Sequence, residues 1–548
     1  MLPISFYNER TQIDEVRAYE IDHYYEEDKQ QALRDIELNS GGAFHYASEI
    51  AVEFTNKNGI WSQTENGWIW RLRIQSDGAK SISLLFTEIF APVNSELWIY
   101  NRDATSIQGP FSIIGNRPEK IWTPVVLGND ITAEIFIPKP ELDPCGIRIT
   151  IPTIAPGFFD FFEPEESPNI GKCNIDVACY NAEDFKEVIR SVMVLTCGTK
   201  LSTGTLLNNC NQDKKPFILT SRHTGITPDN DEKVVFYWNK QLSSCGSLFG
   251  GSVGEKTRGA KHLASWKGTD FTLLRARRLP NPEYNVFYSG WDVSGSSVTG
   301  VTSIHHPLGK NKVIRKSLGT LMTTNYGENN PSHDGLYWRV PGWVDGARKK
   351  GSSGSGLWST DSQLLIGQLK GGDSHCNSLN KPDWYGKLSE SWLGNGERTG
   401  SLKQHLDSCN SGITSLPGLS PKRVERSYHK LKGAKIDSNE ISFYGEVLLN
   451  KKNAYPELGA FKLKEKIEPH LSEIEKKQIP RFTAVNDKEF IERAKQTSIS
   501  KDHKSIITLL PEDLNPSSLL ITSENLELIL NSQTADKVLS KLTPFKLD

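Results

Sequence analysis

Phe217-Ile218-Leu219-Thr220-Ser221-Arg222-His223 is an apolar run that ends in an ionisable ring. Phe217 to Leu219 reads as a strand that delivers His223 to a sheet edge. Two further strings follow it along the chain: Gly268-Thr269-Asp270-Phe271-Thr272-Leu273-Leu274, and then Gly351-Ser352-Ser353-Gly354-Ser355-Gly356. A serine hydroxyl is a weak nucleophile at neutral pH. Acyl transfer needs an imidazole to take its proton and a carboxylate to hold that imidazole in the right tautomer. His223, Asp270 and Ser353 are the candidates for those roles. Phe271, Leu273 and Leu274 put the Asp270 carboxylate beside a core that shields its hydrogen bond. The glycines around Ser353 permit a tight turn that aims the amides of Gly351 and Ser353 at a developing oxyanion. One such donor typically contributes about 3 to 4 kcal/mol to transition-state stabilisation.

Each string alone has a plainer reading. A Gly/Ser run is commonly a flexible loop. A histidine after an apolar strand is commonly a half-buried ring, and Asp270 a turn or cap residue. The order His, Asp, Ser inside one β-rich segment separates the catalytic reading from these.

Outward from that segment, residues 173–410 are strands and turns rich in Gly, Ser and Thr, which predicts a β-barrel domain. Upstream, residues 1–165 carry Trp68-Ile69-Trp70-Arg71-Leu72-Arg73-Ile74, Ser81-Ile82-Ser83-Leu84-Leu85-Phe86 and Ser95-Glu96-Leu97-Trp98-Ile99-Tyr100. Broken by Gly and Pro, these runs predict a β-sandwich or jelly roll. Residues 166–172, within the acidic stretch Pro164 to Lys172, read as a linker. Downstream, composition changes: all 13 Trp lie at or before Trp392 and all 8 Cys at or before Cys409. Lys462 to Lys477, Asp487 to Lys495 and Asn525 to Leu542 have mixed three- and four-residue spacing, so 411–548 is expected to be a small, mostly α C-terminal region.

The 548 residues allow about three or four domains. With 64 Lys+Arg against 66 Asp+Glu the formal charge is -2, which provides no general basic field for nucleic acid. No apolar run approaches the roughly 20 residues of a membrane span. The absence of a CxxC pair argues against zinc ribbons and thiol redox motifs. No metal or organic cofactor is expected. The opening MLPISFYNERTQ has neither a basic nor an apolar leader region. Either the protein stays inside or a leader was trimmed.

From about Cys173 to Trp392 the chain resembles the trypsin-like serine proteases, most closely the bacterial lysyl endopeptidases. The strings that carry the likeness are Cys173-Asn174-Ile175-Asp176-Val177, those around His223 and Asp270, Tyr288-Ser289-Gly290-Trp291-Asp292, Ile304-His305-His306-Pro307, the Ser353 turn, and Gly367-Gln368-Leu369-Lys370-Gly371-Gly372. The resemblance implies a mainly β protein: a chymotrypsin-like double β-barrel with the triad in the cleft. It also implies a serine endopeptidase acting on protein or peptide substrates, cutting after basic residues and preferably after Lys. Asp383, in Asp383-Trp384-Tyr385-Gly386, is the implied floor of the specificity pocket. A buried carboxylate is costly when unpaired, and a substrate ammonium would relieve that cost. The plainer reading makes Asp383 a turn cap after Pro382. The specificity aspartate of trypsin itself falls here at Ala347, with Asp345 a nearby rival. Gly371 and Gly372 are implied to line the pocket entrance and pair with substrate backbone. His305-His306 is structural in the family.

The chain departs from the family pattern at Lys370, where lysyl endopeptidases carry a histidine beside the cleft, and at Gly356, where proline usually ends the nucleophile turn. The run Arg348-Lys349-Lys350 precedes that turn. The extra cation at Lys370 bears directly on the preference for a basic side chain.

The likeness pairs Cys173 with Cys376 and Cys179 with Cys245. A further family bridge is replaced at both ends, by Ser202 and Thr224. Cys197 with Cys210 is a guess for the remainder, leaving Cys145 and Cys409. Persistent disulfides imply a secreted or periplasmic protein; reduced, buried cysteines in a cytoplasmic one are the alternative. In the relatives a large N-terminal segment is a propeptide, so residues 1–165 are expected to be a prodomain partner of a zymogen. Lys172 is then a candidate self-cleavage site. Ser352 stands where chymotrypsin has the aspartate that captures a new amino terminus, so that activation route is not expected. The rival reading is a catalytically inactive, protease-like binding protein that acts through its flanking domains.

Overall fold

Trp70, Leu72 and Ile74 alternate along the strand Gly67–Gln75 and share one buried core with Ile82, Leu84 and Phe86 of Ser81–Phe86. Side chains two apart on each strand face this one core and join two six-stranded sheets into a sandwich. One sheet orders Ala18–Glu20, Gly67–Gln75, Asp130–Ile137, Glu96–Asn101 and Ile107–Ser112, with Ile60–Thr64 on Gly67–Gln75. The other orders Ile121–Trp122, Ser81–Phe86, Arg148–Gly157 and Ile50–Thr55, with two short strands at its side. The computed structural model describes residues 3, 5, 16–21, 26–37, 43–113, 120–138, 146–160, 173–180, 185–245, 251 and 253–421, and the strands 433–437, 440–444, 520–522 and 527–529. The linker 166–172, including Lys172, and Cys145 lie outside the described residues.

Two larger sheets follow and supply the halves of the double barrel. The first runs Lys256–Arg258, Val234–Trp238, Val192–Cys197, Lys200–Leu207, Phe217–Ser221, Phe271–Ala276 and Ala260–Trp266. The second runs Ile175–Asp176, Val313–Thr320, Thr299–His305, Gly356–Ser359, Leu365–Gly372, Asp383–Lys387, Tyr337–Val340 and Met322–Thr324. The opening string shows why the halves meet. Ile218 packs with Leu206, Phe236 and Leu274 of its own sheet. Phe217 and Leu219, on the other face, join Leu273 and a core that includes Trp291, Ile304, Trp358 and Leu365 of the second.

The sandwich is docked on the first barrel. Phe44–His45 pairs antiparallel with Lys200–Leu201. Phe44, Tyr46, Trp122 and Val125 share a core with Val194, Leu201, Val235 and Tyr237. Val125 N donates to Tyr237 OH at 3.1 Å, and Lys233 Nζ binds Glu49 at 2.9 Å.

Three expectations are corrected. The barrel does not end at 410: Ser415–Leu416 pairs with Trp291–Asp292, and Leu419 exchanges backbone bonds of 3.0 and 2.8 Å with Tyr288. Beyond 421 the described residues form two hairpins, Gly433–Asp437 with Glu440–Tyr444 and Leu520–Thr522 with Glu527–Ile529, and of the expected helical stretches these touch only Asn525 to Leu542. The last strand lies within Asn525 to Leu542, where so short an apolar spacing fits either period. Lys462 to Lys477 and Asp487 to Lys495 lie outside the described residues. Third, Cys210 pairs with Cys409 and not with Cys197. Cys197 ends a buried strand and points into the barrel core, whereas Cys210 leaves its strand to meet the 403–409 segment, its amide donating to the Leu406 carbonyl at 2.8 Å. Cys173–Cys376 and Cys179–Cys245 both form. Cys197 stays a free, buried thiol, and burial pushes its pKa up to about 12.

Candidate active site

The strand Phe217–Ser221 ends in a short 3-10 turn, Arg222–Thr224, that carries His223 out of the sheet. The neighbouring strand Phe271–Ala276 pairs Phe271 with Ser221, which brings Asp270 alongside. Asp270 holds a left-handed backbone, φ 61°, and is fixed from three directions. Its carbonyl accepts the Arg222 amide at 2.6 Å and its Oδ1 accepts the His223 amide at 3.1 Å. Oδ2 lies 2.5 Å from His223 Nδ1. On the other side of the ring, His223 Nε2 is 2.7 Å from Ser353 Oγ. The three predicted residues therefore converge, although 130 sequence positions separate the imidazole from the hydroxyl.

The turn that presents Ser353 depends on two glycines. Gly351 has φ +85°, and a Cβ there would lie 2.9 Å from the His306 carbonyl oxygen. Gly354 has φ +81°, and a Cβ there would lie 2.3 Å from Thr220 Oγ1. A side chain at either position would strain the turn or displace the wall behind it. Thr203 N donates to the Ser353 carbonyl at 2.9 Å, and its hydroxyl donates to the Gly351 carbonyl at 2.8 Å. With those carbonyls held inward, the Gly351 and Ser353 amides have no hydrogen-bond partner among the described residues. That is the arrangement required of donors awaiting a transient anion. Thr203 was missed at the sequence level, because a threonine in a strand carries no local signal of this role.

Lys370 Nζ sits 3.3 Å from Asp270 Oδ1 and over the Tyr326 ring. The cation expected near the substrate cleft thus faces the carboxylate that holds His223. His305 and His306 are fully buried and belong to no metal-ligating group among the described residues. His305 Nδ1 is 2.8 Å from Ser352 Oγ, and His306 Nδ1 is 2.9 Å from the Lys310 carbonyl. Burial drives both far below the usual histidine range. Among the described residues one group, Cys210, Asp407 and Cys409, is spaced for a metal ion, and its two sulfurs form the disulfide.

The expectation for Asp383 needs correction in one respect. It lies under Gly372, where a Cβ would come within 2.1 Å of its Oδ1. Its carboxylate, however, is not unpaired. Arg315 Nη1 and Trp343 Nε1 each donate to Oδ2 at 2.8 Å, and Ser374 gives it a hydroxyl at 2.6 Å and an amide at 3.2 Å. A buried carboxylate left alone is too costly, and this fold supplies its partner internally. Gly371 and Gly372 continue the strand from Leu369 and pair with Trp384 and Asp383. The rival Asp345 accepts the Lys316 amide at 2.9 Å. Arg315 gave no sequence signal, and Arg348 was visible only as part of a basic run.

Compared with known proteins, residues 168–386 match the family described as lysyl endopeptidase, C-terminal domain. A lysyl endopeptidase of Pseudomonas aeruginosa is 30% identical over 287 residues, covering 48% of this chain and 59% of the relative. The match therefore spans less than two thirds of that protein. Among solved structures, the inactive form of Rv3671c from M. tuberculosis H37Rv is 13% identical with a TM-score of 0.27, covering 42% of this chain and 94% of that one. The MamO protease domain from Magnetospirillum magneticum is 10% identical with a TM-score of 0.25, covering 37% and 95%. The resemblance of this segment to trypsin-like serine proteases, and among them to lysyl endopeptidases, is borne out.

Proposed function

We propose that the chain is a serine endopeptidase made as a zymogen. The observation that carries this reading is the continuous contact from Asp270 through His223 to Ser353, at 2.5 and 2.7 Å. Ser353 Oγ attacks the scissile carbonyl as His223 Nε2 takes its proton. Asp270 holds the ring and stabilises the imidazolium, while the Gly351 and Ser353 amides bind the oxyanion. The same imidazolium protonates the leaving amine, and water then releases the acyl group by the reverse use of His223. Protein or peptide segments are the substrates. No step requires a metal or an organic group.

The zymogen reading is supported by the N-terminal strand. Along one edge of Lys200–Leu207, Thr205 to Leu207 pair with Phe217–Ser221, Thr203 holds the Ser353 carbonyl, and Leu201 pairs with Phe44. Phe44–His45, just ahead of the sandwich strand Ile50–Thr55, thus occupies the backbone edge next to the nucleophile turn, where an extended peptide would otherwise add a strand. Cleavage in 166–172 would free it, with Lys172 the proposed self-cleavage point. N-terminal sequencing of the mature protein is expected to find a start within 167–173. The three disulfides favour secretion or a periplasmic site. Cleavage after Lys is what the likeness carries, and the partners already held by Asp383 count against it.

Digestion of a denatured protein tests the activity, with cleavage sites mapped by mass spectrometry. The native chain is expected to cut and Ser353→Ala to leave the protein intact. Equal patterns from the two would favour the inactive, protease-like binding protein.

A further inference from the structure

We infer that His305 is a positioning residue for the nucleophile turn: from inside the second barrel it holds the hydroxyl of Ser352, and through Ser352 it fixes the peptide group that offers the Ser353 amide to the oxyanion. The inference rests on the endopeptidase reading and adds a residue to it.

Ser352 is the corner where two turns meet. Its amide donates to the Lys349 carbonyl at 3.0 Å and its Oγ accepts the Lys349 amide at 3.1 Å, which closes the turn that contains Gly351. Its carbonyl accepts the Ser355 amide at 3.0 Å, which closes the turn that contains Ser353. The Ser352 carbonyl and the Ser353 amide belong to one planar peptide group, so whatever holds Ser352 also aims that amide. Thr203 fixes the Gly351 and Ser353 carbonyls from the first barrel. The peptide group between those two, which carries the Ser353 amide, is left to Ser352.

His305 closes this corner from the second barrel. It ends the strand Thr299–His305, which pairs with Gly356–Ser359 just past the turn. Its Nδ1 lies 2.8 Å from Ser352 Oγ, and both side chains are fully buried. The donors and acceptors present fix the direction of this bond. With the proton on Nδ1, both the Ser352 hydroxyl hydrogen and the Nε2 lone pair would be buried without a partner. With the hydroxyl donating to Nδ1, Nε2 alone is left over among the described residues. The hydroxyl therefore donates and a neutral ring accepts. Burial, with Arg315 nearby, drives His305 far below the usual histidine range, which keeps the ring in that state. An apolar side chain would fill this place without leaving a polar atom unpaired. Packing alone therefore does not account for a histidine here, whereas an acceptor at Nδ1 does.

The test uses the full chain after its own maturation, with active sites counted by fluorophosphonate labelling. The substrate is a fluorogenic peptide drawn from the native chain's own cleavage map. His305→Leu is expected to lower kcat about 10-fold with KM nearly unchanged, the effect of one buried hydrogen bond felt in the transition state. His305→Asn, whose Oδ1 can accept where Nδ1 did, is expected to recover most of that loss. Ser352→Ala is expected to fall at least as far as His305→Leu, and the double variant no further than Ser352→Ala, because the two side chains act through one bond. Circular dichroism establishes that each variant is folded. If His305→Leu does not fold, the pair Ser352→Ala and His305→Asn decides: a slow first and a near-native second support the inference, and the reverse overturns it. Full kcat in folded His305→Leu, a rise in KM with kcat intact, His305→Asn as slow as His305→Leu, or losses that multiply in the double variant each overturn the inference while leaving the endopeptidase reading standing. Failure of the native chain both to label and to cut overturns the endopeptidase reading itself, and this inference with it.

Discussion

Thr203 donates its amide to the Ser353 carbonyl at 2.9 Å and its hydroxyl to the Gly351 carbonyl at 2.8 Å, so one residue of the first barrel orients both peptide groups of the nucleophile turn. The relationship couples the barrels at the point where the oxyanion forms. Thr203→Val keeps the amide and removes the hydroxyl. It is expected to lower kcat about 10-fold with little change in KM, the signature of a contact that matters in the transition state. Steady-state kinetics check it; a rise in KM with kcat intact would assign Thr203 to substrate binding instead.

Asp383 and Arg315 are both fully buried, so neither tolerates loss of the other. Arg315→Met leaves a desolvated carboxylate beside Trp343 and is expected to cost about 3 to 5 kcal/mol of stability. Urea unfolding followed by tryptophan fluorescence measures this. A cost near zero would mean that Arg348 moves in to replace it.

Stability is expected to rise with pH between about 7 and 9. Burial brings the Lys312 ammonium down to about 7, although it donates to the Ile189 carbonyl at 2.8 Å and to Gln241 Oε1 at 3.1 Å. In the unfolded chain the same group stays protonated up to about 10.4. The unfolded state therefore holds the extra proton across this window, and folding gains up to about 1.4 kcal/mol per pH unit as the solution becomes more basic. Below the ordinary histidine range His305 and His306 act in the same sense, because only the unfolded chain protonates them. Melting temperature against pH reads the slope, and Lys312→Met is expected to flatten it above 7. An unchanged slope in that variant would place its origin elsewhere.

A non-reducing peptide map is expected to join Cys210 to Cys409 and to recover Cys197 as a free thiol. With its thiol pushed up to about 12 inside the barrel core, Cys197 is expected to resist iodoacetamide at pH 8 in the folded protein and to react after denaturation. A Cys197–Cys210 peptide would contradict the strand directions described above.

The triad was legible because its three strings are each short, local and ordered, and the barrels that join them follow from an apolar run buried on both faces, Ile218 toward one core and Phe217 and Leu219 toward the other. The sandwich was legible from apolar positions two apart, Trp70, Leu72 and Ile74, that face one core. Contacts made across the fold were not. Arg315 meets Asp383 from a strand 68 positions away, and nothing around either residue announces the other. Thr203 is likewise an ordinary strand residue until the second barrel places Ser353 against it. Asp383 showed the limit most clearly: its residue type suggested an acceptor for a cation, and only the packing reveals that the cation is already built in.

The central claim, that Ser353 is a nucleophile activated by His223, is tested most directly by mass spectrometry of the matured protein after reaction with a fluorophosphonate. One covalent adduct on the peptide containing Ser353, abolished in His223→Ala, is the result this account predicts. An adduct elsewhere, or none on a folded protein whose N-terminal segment has been released, would contradict it.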